Sequence, residues 1–233
     1  MNFFYAPPEN WNDDRSEVEI TDQEAIHISK VLRNRIGDQV FVVDGIGNRS
    51  KCEIIEISKK SVRLKVLETI SQEESTTKKV MAFGAIKKRD RLEFAIEKAV
   101  ELDAWEICVF DADHSERSRL NEDRLQTQIV SAFKQSGRFY LPKLVIKRSL
   151  DEILEQYKEH SIQMAYLGEE EAGTPNQLTD SENLLLVGPE GGFSKREADL
   201  AKSKGAHFIT LGKNRLRAET AVVAFLSQFL FSK

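Results

Sequence analysis

The segment from Leu184 to Glu197, LLLVGPEGGFSKRE, constrains the fold of this chain more than any other. Asn183 to Val187 is too short for a helix and holds four apolar residues in succession, the pattern of a central parallel strand covered on both faces. Strands of that kind present ligands at their carboxyl ends. Gly188, Gly191 and Gly192 permit close backbone approach, and Pro189 stiffens the turn between them, so the loop has a set shape. Ser194 and Glu197 have the spacing of a capping box, which starts a helix running towards Lys204 with its amino end facing the loop. A strand-to-helix turn without a ligand is the plain alternative.

A second strand-to-loop signal sits near the carboxyl terminus. His207 to Leu211 is β-like, and Gly212 to Ala221 (GKNRLRAETA) separates it from an apolar helix reaching Phe231. Two such loops enclose one small molecule if their strands are neighbours in the sheet. The terminal helix is apolar nearly all round, from Ala221 through Phe225 to Phe231, and must be buried either in its own domain or in a dimer interface.

The rest of the chain supplies a frame for these loops. Asp22 to Arg33 reads as a helix capped by Thr21 or Asp22, followed by strands at Gln39–Val43, Ser50–Ile57 and Ser61–Leu67 with a hairpin signal at Asp44–Asn48, a meander that suits a small barrel. Ser71 to Lys79 is polar and reads as a linker, which gives domains at 1–72 and 73–233. From Val80 onward strands alternate with helices: Val80–Ala85, Arg89–Leu102, Trp105–Phe110, Asn121–Ser136, Leu144–Ile146, Leu150–His160 and Ile162–Leu167, then the two loop-bearing pairs. The expected class is α/β with a largely parallel sheet.

With 233 residues, 40% of them hydrophobic, the chain can bury a sizeable core. It lacks an apolar run long enough to cross a bilayer, and Met1 to Asn12 has no signal-peptide pattern, so a cytoplasmic location without membrane attachment is expected. Cys52 and Cys108 lie in β-like runs without partners at metal-ligand spacing, and are expected to be buried free thiols, with no metal bound. A net charge of −4 disfavours a uniformly basic nucleic-acid binder. Nucleic-acid contacts would rest on local patches: Lys87, Lys88, Arg89 and Arg91; Arg117, Arg119 and Arg124; Lys213, Arg215 and Arg217. Each is otherwise a solvated face, but all lie in or beside loops that follow predicted strands.

The block GPEGGF at Gly188–Phe193, with Glu197 beyond it, and the block Leu211-Gly212 … Leu216-Arg217-x-Glu219-Thr220-Ala221 resemble the SPOUT class of RNA methyltransferases, specifically the family that modifies N3 of a uridine in small-subunit ribosomal RNA. The resemblance extends through Lys88 to Leu102, Ser115–Ser118, Gln135–Arg138 with Pro142, and His27 … Val31-Leu32-Arg33 with Asp44-Gly45, in the same order. Asp103 departs from it, standing where the family usually has glycine.

The resemblance implies a PUA-like RNA-binding β-barrel at the amino terminus. A SPOUT α/β domain with a deep trefoil knot follows, in a homodimer whose substrate is ribosomal RNA or the 30S subunit. S-adenosyl-L-methionine would be the cofactor, held by Leu167, Gly168, Gly188, Pro189, Glu190, Gly191, Leu211, Gly212, Leu216, Thr220 and Ala221. Arg33, Lys88, Arg89, Arg91, Arg117 and Arg215 are the RNA-binding candidates. Arg217 and Arg138 are candidates to stabilise negative charge on a uracil oxygen, and Glu219 or Glu190 to accept the N3 proton. Both carboxylates have structural alternatives, amide binding for Glu190 and helix-dipole stabilisation for Glu219.

Three other readings compete. One keeps the fold but methylates another RNA position, such as a ribose 2′-hydroxyl; another is a non-catalytic RNA-binding protein. A dinucleotide-binding oxidoreductase would need Gly-x-Gly-x-x-Gly after the first strand, where Ile86-Lys87-Lys88 stands instead.

Overall fold

A computed structural model describes residues 3–116, 120–166, 173–175, 178 and 182–230. They form two compact units, Met1–Glu74 with Phe133–Leu141, and Ser75–Ala132 with Pro142–Lys233.

In the first unit, β1 (Phe3–Tyr5), β2 (Glu17–Thr21), β3 (Gln39–Val43), β4 (Asn48–Ile57) and β5 (Ser61–Ser71) make a curled five-stranded sheet, a half-barrel, in the order β1-β3-β4-β5-β2. Only the β1–β3 pair is parallel. The curl follows from two register shifts between β4 and β5, at Lys51/Cys52 and Ile54/Glu56, since an irregularity bends and twists the strand that carries it. Alternation points Val18, Ile20, Cys52, Ile54, Val62 and Leu64 into one core.

The β3–β4 hairpin is locked by Asp44. This fully buried carboxylate accepts from the Ile46 and Asn48 amides at 2.9 and 3.0 Å and from Arg15 at 2.5 Å. The helix expected over Asp22–Arg33 is shorter and irregular: α1 (Asp22–Ile26) passes into a π-helical turn at His27–Val31. Ser29 Oγ donates to the Ala25 carbonyl at 2.8 Å there, a local bond of the kind that competes with helix propagation. Thr21 is its N-cap residue, but makes no side-chain capping bond.

Phe133–Leu141 belong with this unit through specific contacts. Phe133 meets Tyr5 edge-on at 5.8 Å, the Tyr140 hydroxyl donates to the Gln72 carbonyl at 2.8 Å, and the Leu141 amide donates to the Gly45 carbonyl at 2.9 Å.

The second unit alternates β6 (Lys78–Gly84), α2 (Arg89–Glu101), β7 (Glu106–Phe110), α3 (Glu122–Ser136, whose last turn clusters with the first unit), β8 (Lys143–Lys147), α4 (Leu150–Gln156), β9 (Ser161–Ala165), β10 (Glu182–Val187), α5 (Lys195–Ser203), β11 (His207–Ile209) and α6 (Ala218–Ser227). Its six strands are all parallel, in the order β11-β9-β10-β6-β7-β8. Leu184 to Val187 are buried, as a doubly covered strand requires. Leu184 and Leu186 pack with Val80, Ala82, Phe110, Leu150 and Ile153 on one face, while α6 packs on β6, β10 and α2.

Asp103 has φ +65°, which explains why glycine suits its position. Aspartate tolerates this left-handed conformation better than most residues and here lies 3.5 Å from the buried Lys79 amine. Cys52 and Cys108 are buried free thiols whose pKa burial pushes up to about 12, so neither is a reactive thiolate at neutral pH. Among the described residues no helix is long and apolar enough to cross a membrane, and no cluster of three His, Cys, Asp or Glu side chains could hold a metal.

Candidate functional site

The sheet order decides where a ligand can sit. β9 lies between β11 and β10, so the loops leaving β10 and β11 flank its carboxyl end, and a cavity of about 310 Å³ opens there. Its first wall is the loop Gly188–Phe193. The Gly192 amide closes a turn onto the Pro189 carbonyl at 2.9 Å, with Gly192 at φ +73°.

Two glycines set this loop by close packing. A Cβ on Gly84, the last residue of β6, would lie 2.5 Å from Pro189 Cδ and 2.8 Å from its nitrogen; one on Gly188 would lie 3.0 Å from the Gly192 and Phe193 backbone. Gly191 lies against His114, whose Cβ would be 2.8 Å from an added methyl.

The loop is fastened at its exit. Ser194 caps α5 in a full capping box with Glu197: the Glu197 amide donates to Ser194 Oγ at 3.1 Å, and the Ser194 amide to Glu197 Oε2 at 2.8 Å. Glu197 is completely buried, and its other oxygen accepts the Asp113 amide at 3.1 Å. Asp113 in turn takes two bonds from Arg196, at 2.8 and 2.9 Å, and one from Ser194 Oγ at 2.5 Å. Arg196 and Ser194 hold its carboxyl down to about 2, so this clamp persists well into the acidic range and is lost only as pH falls through that value. Glu197→Ala should remove the acceptor of two backbone amides and cost about 2–3 kcal/mol of stability. Urea denaturation measures it, and a loss below about 0.5 kcal/mol would contradict this role.

The second wall is the loop after β11. Gly212, at φ +143°, lies in open space, and Leu211 and Leu216 add apolar surface. Arg215 reaches across to donate to the Glu190 carbonyl at 3.2 Å, joining the two loops, while Glu190 Oε1 accepts the Lys87 amide at 3.2 Å. α6 begins at this wall, with Ala218 and Ala221 lining it. Arg217, the N-cap residue, is exposed and has no ion-pair partner among the described residues. The third wall is Ala165 and Tyr166 at the end of β9.

Of the residues expected from sequence, Gly188, Pro189, Glu190, Gly191, Leu211, Gly212, Leu216 and Ala221 line this one cavity, and so does Arg215. Thr220 is exposed and is not among the lining residues. Glu219 is buried with Oε1 3.5 Å from Arg91 Nε on α2, and it too lies off the cavity wall. Lys88 and Arg89 are exposed at the start of α2. Arg33 is exposed at φ +58° in the first unit, to which Arg138 also belongs. Leu167, Gly168 and Arg117 lie outside the described residues. Sequence reasoning missed Gly84, Tyr166, Asp113 and His114. Tyr166 directly precedes the Leu167-Gly168 pair, which was a usable signal; the others depend on partners distant in the chain.

The arrangement matches a known group of proteins. The family described as the RNA methyltransferase domain matches residues 73–230, and the RNA methyltransferase PUA domain matches 20–67. The ribosomal RNA small subunit methyltransferase E of Bacillus subtilis is 30% identical over 227 residues, covering 89% of this chain and 87% of that protein. The chain belongs to the ribosomal RNA small subunit methyltransferase E family. The Rickettsia conorii member is 28% identical, over 92% of this chain and 90% of its own. The crystal structure of the small subunit methyltransferase E from Neisseria gonorrhoeae, bound to S-adenosyl methionine, superposes with a TM-score of 0.84 at 26% identity, covering 98% of this chain and 96% of that one.

Proposed function

We propose that this chain methylates N3 of a uridine in small-subunit ribosomal RNA, using S-adenosyl-L-methionine held in the cavity at the ends of β9, β10 and β11. The observation that carries this reading is the three-walled cavity, formed by the family's own GPEGGF and Leu-Arg-x-Glu-Thr-Ala blocks in a chain whose Neisseria gonorrhoeae relative is bound to that cofactor. The cavity's chemistry fits the cofactor: glycine backbone at Gly188, Gly191 and Gly192 on one side, and apolar surface from Leu211 and Leu216 on another. When bound, the cofactor supplies a methyl group activated by its sulfonium.

The protein's part is orientation and charge. Good alignment of nucleophile and methyl can contribute roughly 7 to 11 kcal/mol, and the capped, clamped Gly188–Phe193 loop is built to supply it. Uracil N3 must lose a proton, and the negative charge that then spreads to O2 and O4 needs a cation. Arg217, exposed and without an ion-pair partner beside the cavity, is placed to supply it. Glu190 lines the cavity and Glu219 is held at Arg91, so the proton acceptor is assigned to Glu190, with Glu219 bracing α2 against α6. Comparing the pH–rate profiles of Glu190→Gln and Glu219→Gln tests this, since a lost acid limb in Glu219→Gln alone would reverse it.

Arg215 bridges the two loops, and Arg215→Ala should speed cofactor dissociation roughly 3- to 10-fold in stopped-flow, with the fold intact. Arg33, Lys88, Arg89 and Arg138 are assigned to RNA, with a domain boundary near residue 73 and action in the cytoplasm, where ribosomal RNA resides. We infer a homodimer, a reading supported by apolar surface on α2 and α6, where Phe94 is 43% exposed and Val223 and Ala224 are half-buried. The knot expected of the class is part of the same proposal. Mass spectrometry of ribosomal RNA from a strain lacking the protein decides the reaction; N3-methyluridine at unchanged level would refute it.

A further inference from the structure

The peptide between Gly191 and Gly192 is the freest link in the loop that walls the cavity. Neither residue carries a side chain, Gly192 sits at φ +73°, and nothing lies within 4 Å of the place its Cβ would take. Adjacent glycines can rotate the peptide between them at little steric cost, so a loop built on them needs holding from outside. Two carbonyls of the loop are already taken: that of Pro189 by the Gly192 amide at 2.9 Å, and that of Glu190 by Arg215 at 3.2 Å. The third tie is His114, four residues beyond β7, whose Nδ1 lies 3.2 Å from the Gly192 carbonyl oxygen and whose Cβ stands against Gly191. A carbonyl only accepts, so Nδ1 carries the proton of this bond.

His114 is itself held on both sides. The Asp113 amide donates to the buried Glu197 at 3.1 Å, and the Ser115 amide donates to the Ala112 carbonyl at 2.9 Å. Ser115 Oγ accepts the Ala112 amide at 3.1 Å and donates to the Ala85 carbonyl at 3.3 Å. Since β6 separates β7 from β10, His114 brings to the loop the support of a strand two places away in the sheet. The residue is exposed, so the core does not depend on its ring. We propose that His114 is a positioning residue for the cofactor: its imidazole holds the Gly191–Gly192 peptide in the binding conformation before the ligand arrives, which spares the ligand the cost of ordering it. The proposal rests on the cofactor reading above and adds to it the side chain that fixes the most mobile part of the glycine wall.

Two variants separate the bond from the packing. His114→Ala keeps the Cβ that meets Gly191 and removes the donor, whereas His114→Asn restores a donor, because its side-chain amide nitrogen stands close to where Nδ1 does. Hydrogen exchange on the ligand-free full chain, read by mass spectrometry, reports the loop directly. The peptide covering Gly188–Phe193 should exchange about threefold faster or more in His114→Ala, and within about twofold of the unaltered protein in His114→Asn. Calorimetry with S-adenosylhomocysteine should show the matching pattern, a loss of about 3- to 10-fold in His114→Ala and of less than about twofold in His114→Asn, with melting temperatures unchanged. Unaltered exchange in His114→Ala, unaltered affinity despite faster exchange, an equal loss in both variants, or a melting temperature that falls in step with affinity would each overturn the positioning role. Failure of the unaltered protein to bind S-adenosylhomocysteine would overturn the cofactor reading and this role with it, and is told apart from the other outcomes because the exchange measurement involves no ligand.

Discussion

Arg217→Ala is expected to lower turnover by about 10²- to 10³-fold while cofactor affinity and melting temperature stay close to those of the unaltered protein. The expectation combines two features that rarely coincide. Arg217 is exposed, has no ion-pair partner among the described residues and makes no side-chain cap on α6, so the fold does not draw on its guanidinium. Its neighbours Leu216 and Ala218 both line the cavity, which puts position 217 at the edge of the proposed site. Removing a donor that meets charge only in the transition state lowers the rate without weakening the ground state. Arg217→Lys should recover only part of the rate, since an ammonium cannot present two parallel donors. Single-turnover kinetics with saturating cofactor reads the effect, and a rate within threefold of wild type in Arg217→Ala would remove it from the mechanism. Arg91→Ala provides the contrast: its guanidinium braces Glu219, so its loss should lower stability together with activity.

The elements were legible wherever apolar periodicity was strong. The strand at Gln39–Val43 was read to the residue, the helix α2 to within one, and the capping box of α5 was read from Ser194 and Glu197 alone. These features depend on residues within one or two turns of each other. The π-helical turn at His27–Val31 was not legible, because Ile26, Ile28 and Val31 suit a regular helix just as well; Val31 is in fact 63% exposed. The end of α3 shows a different limit. Leu125, Ile129, Ala132 and Phe133 form one ordinary apolar face, yet Phe133 packs on Tyr5 and clusters with the first unit. A stripe of apolar residues states that a face is covered without stating by what. A fragment starting at Ser75 would strip Phe133–Leu141 of these contacts and expose Phe133, which is fully buried in the whole chain.

The same limit governs the site, where the Gly188–Phe193 loop depends on a residue its motif does not contain. Gly84→Ala should weaken cofactor binding by more than about tenfold although Gly84 lies outside both motif loops. Its Cα faces Pro189 so closely that a methyl group would stand 2.5 Å from the ring and 2.8 Å from the backbone nitrogen. Neither atom is the end of a flexible chain: the proline ring is rigid, and its nitrogen belongs to the loop whose shape forms the cavity wall. β6 cannot retreat, since it is paired on both sides, with β10 and β7. The displacement therefore falls on Pro189 and moves Gly188–Gly191 into the cavity, with an overpacking cost of about 1–3 kcal/mol. Gly205→Ala serves as the control, because Gly205 has φ +83° with nothing within 4 Å of an added Cβ, so it carries backbone strain without a clash. Both variants should lose some stability, but only Gly84→Ala should lose affinity for S-adenosylhomocysteine, by more than about tenfold in calorimetry. Equal affinity in the two would mean that the loop tolerates displacement, and that its glycines serve the chain's path instead of the ligand.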